Sequence, residues 1–124
     1  MKQQPHLGAW FRGLAIAHGI VGLAVYHAPL RDILGAGLWN TIDGHTPREA
    51  AFWFLMFAPL LYLAGQLGSR AYAESGTYPS ELIRTLLLVC LIGSVLMPVS
   101  GFPVGLAVCL LHVRATRQRQ AKTA

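Results

Sequence analysis

The stretch Gly37–Phe57, GLWNTIDGHTPREAAFWFLMF, decides the fold. A polar segment rich in turn residues runs directly into a helix that opens with apolar and aromatic side chains. A soluble protein could bury one such helix, but this chain has other apolar runs and little polar sequence to cover them. We therefore predict a small multi-pass membrane protein whose polar groups gather near one membrane face.

The composition supports a membrane address. Hydrophobic residues make up 54% of the 124 residues and charged residues 12%, whereas ordinary soluble domains are about 25% charged. The mean hydropathy is +0.48. The net charge of +5 does not indicate nucleic-acid binding, because much of it lies in a tail after an apolar helix. Such a tail is typical of a segment that touches anionic lipid headgroups.

Local signals within the opening stretch predict a turn followed by a helix. The Asp43-Gly44 pair predicts the turn, since glycine tolerates a positive φ. Thr46 is the predicted N-cap, with Pro47 in the first helical position and Glu49 completing a Thr-x-x-Glu capping box. The helix is predicted to form a span from about 48 to 67, kinked at Pro59.

An earlier apolar run, Gly8–Tyr26, covers 19 residues, or about 28 Å of helix, close to the roughly 30 Å of a bilayer core. A cleaved signal peptide is the rival interpretation. Arg12 lies inside the run and no convincing cleavage site follows, so we predict a true span at about 8–27. Its small residues share one side, which favours close helix packing: Ala15, Gly19 and Gly22.

The remaining segments complete the predicted architecture. Pro29 should halt the first helix, and the segment after it fits a short helix at the membrane interface. Residues 68–80 form a polar connector, with Ser80 as the N-cap of a third span at about 81–97. The turn at 98–103 returns the chain into a fourth span at about 102–117, which must continue beyond Val113 to be long enough. A basic tail covers 114–124.

The predicted fold class is therefore all-α. We expect one integral membrane domain over residues 1–124, an antiparallel four-helix transmembrane bundle with a short interfacial helix between spans one and two. Cations predict its orientation, because cytoplasmic loops carry the excess of Lys and Arg. The side with both termini holds eight, and the other holds only Arg31 and Arg48; the eight are Lys2, Arg12, Arg70, Arg84, Arg114, Arg117, Arg119 and Lys122. We predict a cell inner membrane protein with both termini cytoplasmic.

His18 is the ionisable group deepest in a predicted span, and such groups are functional candidates by default. The alternative is that it bonds a backbone carbonyl freed by Pro59, or the hydroxyl of Ser94. Cys90 and Cys109 lie inside apolar runs without Cys-x-x-Cys spacing, so we predict buried free thiols, with no disulfide, metal or cofactor.

The other candidates lie toward the outer face. Arg48 would hold an anionic or carbonyl group and Glu49 would exchange protons, although capping already explains Glu49. A cation at a helix N-terminus opposes the macrodipole, so something near Arg48 should offset it. Trp53 offers a surface for stacking, which lipid contact also explains. The predicted ligand-binding residues are His18, Asn40, Arg48, Glu49, Trp53 and Ser100, and the candidate catalytic residues are His18, Asp43 and Glu49.

Three strings, Gly37–Thr41, Arg48–Leu55 and Met97–Phe102, together with His18, resemble a bacterial family of small four-helix membrane proteins of unknown function, and more loosely DoxX-like proteins. The resemblance covers most of residues 8–113. It implies four spans and an inner-membrane address, and it implies no reaction.

Three functions stay open. The first is a membrane protein that binds a small lipophilic molecule in a polar pocket near the outer face. The second is a cofactor-independent isomerase or cyclase that uses acid and base side chains. The third is an accessory subunit, or a homo-oligomer, that packs through the glycine-rich face of the first span.

Overall fold

The computed structural model describes residues 7–123, which form five α-helices and no strand. This confirms the predicted all-α class and the short helix after the first long one. Lys2, which was counted in the charge argument, and Ala124 at the end of the tail lie outside the described residues. The helices are α1 (Leu7–Val25), α2 (His27–Gly35), α3 (Thr46–Ser75), α4 (Ser80–Leu96) and α5 (Phe102–Thr123).

Proline separates the first two helices. Helix α1 ends at Val25, four residues before Pro29, because a proline ring clashes with the carbonyl four positions earlier. Pro29 itself lies in the first turn of α2, where a missing N–H needs no partner. The proline thus ends one helix and is accommodated at the start of the next.

The two predicted N-caps are each wrong by one residue. Helix α3 is capped by His45 rather than Thr46, and α4 by Pro79 rather than Ser80, and neither cap residue makes a side-chain bond. Glu49 still reaches back, but its Oε1 accepts the N–H of Gly44 at 2.9 Å. The left-handed turn at Gly44, with φ of 78°, brings that N–H within reach, and this positive φ is the one predicted for the Asp-Gly turn.

Helix α3 is longer than predicted, because residues 68–75 of the expected connector continue it. Its 30 residues extend about 45 Å. The helix ends at Gly76, which has a left-handed φ of 73° and donates its N–H to the carbonyl of Tyr72 at 2.8 Å. Glycine adopts this conformation without a Cβ penalty, so it is a stronger stop signal than the polar composition before it.

The last helix also continues, as predicted, past Val113. Helix α5 has 22 residues, or about 33 Å, although only α1 and α3 among the described helices are both long and apolar enough to be candidate spans. Helix α4, with 17 residues, extends about 25 Å.

The long helices pack as two antiparallel pairs, α1 with α3 and α4 with α5. In the first pair, a Cβ on Gly65 would lie 2.7 Å from the carbonyl oxygen of Gly8, so the two backbones almost touch. In the second pair, the ring of Phe102 lies directly on Gly93. The pairs share a buried apolar core, formed by Leu7, Phe11, Ala15, Leu61, Leu86, Cys90 and Cys109.

The small-residue side of α1 packs as predicted, and its partner is within the same chain. A Cβ on Gly22 would lie 2.6 Å from Leu55, and one on Gly19 would lie 3.7 Å from Ala58. Since α3 occupies this face, a contact with a second chain through it would have to displace α3.

Two helices, α1 and α3, are long and apolar enough to cross a membrane. Only 22% and 17% of their most apolar windows are buried, whereas the core helix of a soluble protein is mostly buried. Large apolar side chains are exposed on all four long helices, including Ile20, Leu60, Val95 and Leu111. This exterior is typical of a surface that contacts lipid.

Candidate functional site

His18 lies at the interface of α1 and α3 and is half-buried. Its Nε2–H donates a hydrogen bond to the carbonyl oxygen of Phe54 at 2.9 Å. A carbonyl can only accept, so Nε2 carries the proton, and in the neutral ring Nδ1 keeps its lone pair. The acceptor is one residue before Leu55, whose carbonyl Pro59 leaves without its helical donor. Ser94 is not the partner, because its hydroxyl donates to the carbonyl of Cys90 at 2.6 Å.

Aromatic rings surround this histidine. The ring of Phe54 stacks on His18 with centroids 3.9 Å apart and an interplanar angle of 13°. Phe57 meets the same imidazole edge-on at 5.5 Å, and Tyr26 lies 5.2 Å from Phe54. Phe102 follows at 6.2 Å from Phe57. We call this row, Tyr26–Phe54–His18–Phe57–Phe102, the aromatic ladder.

The ladder depends on a glycine. Gly22 follows His18 by four residues on α1, and Tyr26, just past the end of α1, donates its N–H to the carbonyl of Gly22 at 2.9 Å, so the three residues lie on one side. A Cβ on Gly22 would lie 2.9 Å from the Phe54 ring. The missing side chain therefore leaves the space in which Phe54 packs between the histidine and the tyrosine.

Arg48 and Glu49 connect the preceding loop to α3. The Nη1 of Arg48 donates to the carbonyl oxygen of Thr41 at 2.7 Å, and Thr41 is buried. This carbonyl supplies the partner that a cation at a helix N-terminus requires. Together with the bond from Gly44 to Glu49, it holds the loop against the helix.

The remaining outer candidates lie at the surface. Asn40 and Asp43 are exposed in the loop between α2 and α3. Asn40 has a positive φ of 50°, which asparagine tolerates better than most residues. Trp53 is 70% exposed and meets Phe52 edge-on at 5.2 Å.

Glu49, the acid predicted to work with His18, lies on a different side of α3 from Phe54, which contacts His18. Phe54 follows Glu49 by five residues, or about 7.5 Å along α3 and about 140° around it. Phe54 faces α1, so Glu49 lies toward the loop instead. His18, Asp43 and Glu49 therefore do not converge as an acid–base set.

Ser100 belongs to the turn between α4 and α5, which lies well away from the loop that carries Asn40 and Asp43. Its hydroxyl donates to the carbonyl of Met97 at 2.6 Å and accepts the N–H of Phe102 at 3.3 Å. A Cβ on Gly101 would lie 3.5 Å from Leu14, near the middle of α1. The α4–α5 pair therefore stops at this depth, near Phe57, about 14 Å along α3 from Arg48.

One buried polar residue was not predicted. His112 on α5 is 6% exposed, and its Nδ1 has no hydrogen-bond partner among the described residues. The ring of Tyr78 meets it edge-on at 5.0 Å, and the Tyr78 hydroxyl accepts the N–H of Gly8 at 3.2 Å. The sequence signal was present, because His112, like His18, is an ionisable residue inside a predicted span.

Residues 7–123 contain neither a disulfide nor a cluster of side chains that could form a metal site. Cys90 and Cys109 are free and buried, as predicted. Within this part of the chain, no three His, Cys, Asp or Glu side chains lie close enough together to hold a metal ion.

Comparison with known proteins identifies the family and no activity. Neither the curated proteins nor the solved structures compared with the chain gave a match. The sequence model of the family of unknown function DUF6463 matches residues 2–119. This agrees with the expected membership of a family of unknown function and carries nothing about DoxX-like proteins. Because the match covers nearly the whole sequence, the chain belongs to the DUF6463 family.

Proposed function

We propose that this chain is a multi-pass inner-membrane protein that binds a small lipophilic molecule with one polar end. The binding surface is the aromatic ladder rather than a pocket shared by all the outer polar residues. Helices α1 and α3 cross the membrane, α2 lies at the outer interface, and both termini are cytoplasmic. The α4–α5 pair enters from the cytoplasmic side and turns back level with the middle of α1, where a Cβ on Gly101 would lie 3.5 Å from Leu14. The observation that carries the proposal is His18, half-buried near the middle of α1, whose Nε2 donates to the carbonyl of Phe54 and whose Nδ1 lone pair would accept a further hydrogen bond.

The ladder suits an apolar ring or chain with one hydrogen-bond donor. Above the α4–α5 turn, Tyr26 and Phe54 offer aromatic surface beyond Phe57, the ring that Phe102 of the second helix pair meets. Aromatic contacts contribute about 0.5–1.5 kcal/mol per pair beyond area burial. The Nδ1 of His18 would accept a hydrogen bond from the polar end of the molecule, and Arg48 lies further out for a charged or carbonyl group.

The enzyme alternative lacks support in the geometry. An isomerase or cyclase without a cofactor needs an acid and a base that reach one bound molecule. Glu49 is bonded to Gly44 and faces away from the ladder, and Asp43 is exposed in the loop. Binding, which needs only His18 and the rings, is therefore the better supported function.

We expect His18→Phe to lower retention of the lipophilic compound while leaving the helices folded. Phenylalanine keeps the stacking surface but removes both ring nitrogens, and one lost hydrogen bond of about 0.5–1.5 kcal/mol corresponds to two- to tenfold weaker binding. The measurement is mass spectrometry of compounds extracted from protein purified in mild detergent. The control is His27→Phe, since His27 is exposed and bonds only the carbonyl of Ala24. Equal yields of every compound from the two variants would contradict the proposal.

The membrane topology has its own prediction. A fluorescent protein fused after residue 124 should fluoresce, and alkaline phosphatase fused there should be inactive, because the C-terminus is cytoplasmic. Phosphatase inserted after Gly44 should be active. The opposite pattern at either position would reverse or remove the assigned spans.

A further inference from the structure

An apolar groove opens where α5 passes the beginning of α1, and it runs from Pro103, next to the last ring of the aromatic ladder, away from His18. It encloses about 430 Å³. A Cβ on Gly105, beside the groove, would lie 3.6 Å from Leu14 and 3.7 Å from Phe11, so the groove is level with the first half of α1. Its lining is almost entirely apolar: Trp10, Pro103, Val104, Ala107, Val108 and Leu111.

A cation lies at the end of this groove that is nearer the chain termini. Arg114 follows Leu111 by three residues and Ala107 by seven, so it is on the groove side of α5, about 4.5 Å beyond Leu111. Arg114 is exposed. Helix α5 has no acidic residue, so the charge at this end of the groove is positive. Trp10 is 58% exposed and lies one turn from the start of α1, where indole rings favour the headgroup level.

We propose that this groove binds an anionic phospholipid of the inner leaflet. One acyl chain lies along Val104, Val108 and Leu111, and the phosphate contacts Arg114. The groove supplies concave apolar surface, and a cation on a helix that has no acidic residue favours a negative headgroup over a zwitterionic one. The proposal rests on the membrane placement given above, but not on the ligand surface at His18.

The test uses Trp10 as a local reporter. In a Trp39→Phe/Trp53→Phe background, the protein is reconstituted into vesicles that contain brominated phosphatidylglycerol or brominated phosphatidylcholine at matched fractions. Bromine quenches tryptophan only at close range, so the two quenching curves give the relative occupancy of the groove. We expect about a fivefold preference for phosphatidylglycerol, which corresponds to the roughly 1 kcal/mol of one cation near the membrane surface.

One variant tests the charge of Arg114, another tests the apolar surface that holds the acyl chain, and a third is the control. Arg114→Gln should bring the preference close to one, whereas Arg84→Gln, at an exposed position on α4, which does not line the groove, should leave it unchanged. Ala107→Phe should fill the groove and lower quenching by both lipids. Mass spectrometry of the otherwise unmodified protein should likewise show retained phosphatidylglycerol that Ala107→Phe loses.

Each remaining outcome has a definite meaning. Equal quenching by the two lipids, or a preference that Arg114→Gln does not change, would show ordinary surrounding lipid and overturn the site. Failure of the protein to float with vesicles would overturn the membrane placement, and this proposal with it. Loss of compound binding at His18 alone would leave the lipid site standing.

Discussion

Replacing Gly65 with alanine is expected to destabilise the protein by about 1–3 kcal/mol, the usual cost of forcing an extra methyl group into a packed contact. The added Cβ would lie 2.7 Å from the carbonyl oxygen of Gly8 and 3.0 Å from the backbone nitrogen of Arg12. Backbone atoms cannot rotate away as a side chain can, so α1 and α3 must move apart. That movement would also loosen the contacts of the aromatic ladder further along the same pair.

Gly13 provides a matched control on the partner helix. A Cβ at Gly13 meets nothing within 4 Å, so Gly13→Ala should leave stability unchanged or raise it by up to about 1 kcal/mol through helix propensity. The two substitutions have the same chemistry and opposite expected signs. Denaturant-dependent unfolding in detergent, followed by circular dichroism, measures both. Equal shifts for the two variants would show that the backbones of α1 and α3 are not in close contact at Gly65.

Local sequence signals predicted local structure well. The Asp43-Gly44 pair predicted the positive φ at Gly44, the small residues of α1 predicted its packing side, and the helix after Phe102 continues past Val113 as expected. Each of these depends on a few neighbouring residues and their steric limits. The N-caps missed by one position because backbone bonds at His45 and Pro79, not hydroxyl side chains, begin those helices.

The candidate site was harder to predict, because it depends on which helix faces meet. Mid-span polarity singled out His18, but nothing in the sequence named the carbonyl of Phe54 as its partner. The capping box predicts a backbone N–H as the partner of Glu49, and the donor is Gly44 rather than the residue predicted as the N-cap. No sequence signal named the carbonyl of Thr41 as the partner of Arg48.

The sequence also did not indicate how far along α1 the α4–α5 turn lies. A four-span arrangement placed the turn at Ser100 on the same outer face as Arg48, yet a Cβ on Gly101 in that turn would meet Leu14, near the middle of α1. The register between helix pairs is fixed by packing, here by Phe102 on Gly93 and Cys90 beside Gly105. That register also determines which part of α1 and α3 the α4–α5 pair leaves uncovered. The proposed binding surface lies in this part.

Truncating Phe102 to alanine should therefore cost about 2–3 kcal/mol, somewhat less than the 3–5 kcal/mol of a fully buried phenylalanine because this ring is half-buried. The ring fills the space over Gly93 and reaches toward Phe57 across the two helix pairs. Trp39→Ala, which removes an aromatic ring that is 90% exposed, should change the unfolding free energy by less than about 0.5 kcal/mol.

A double-mutant cycle with Gly93→Ala tests whether the contact itself carries this cost. Alone, Gly93→Ala should destabilise, because its new methyl group would overlap the Phe102 ring. In the Phe102→Ala background the same methyl group enters the vacated space, so its cost should vanish or change sign. Residues in contact show coupling energies of about 0.5–3 kcal/mol, whereas independent sites add. Additive effects would mean that the ring does not lie on Gly93, and the α4–α5 register that leaves the aromatic ladder uncovered would then lose its structural basis.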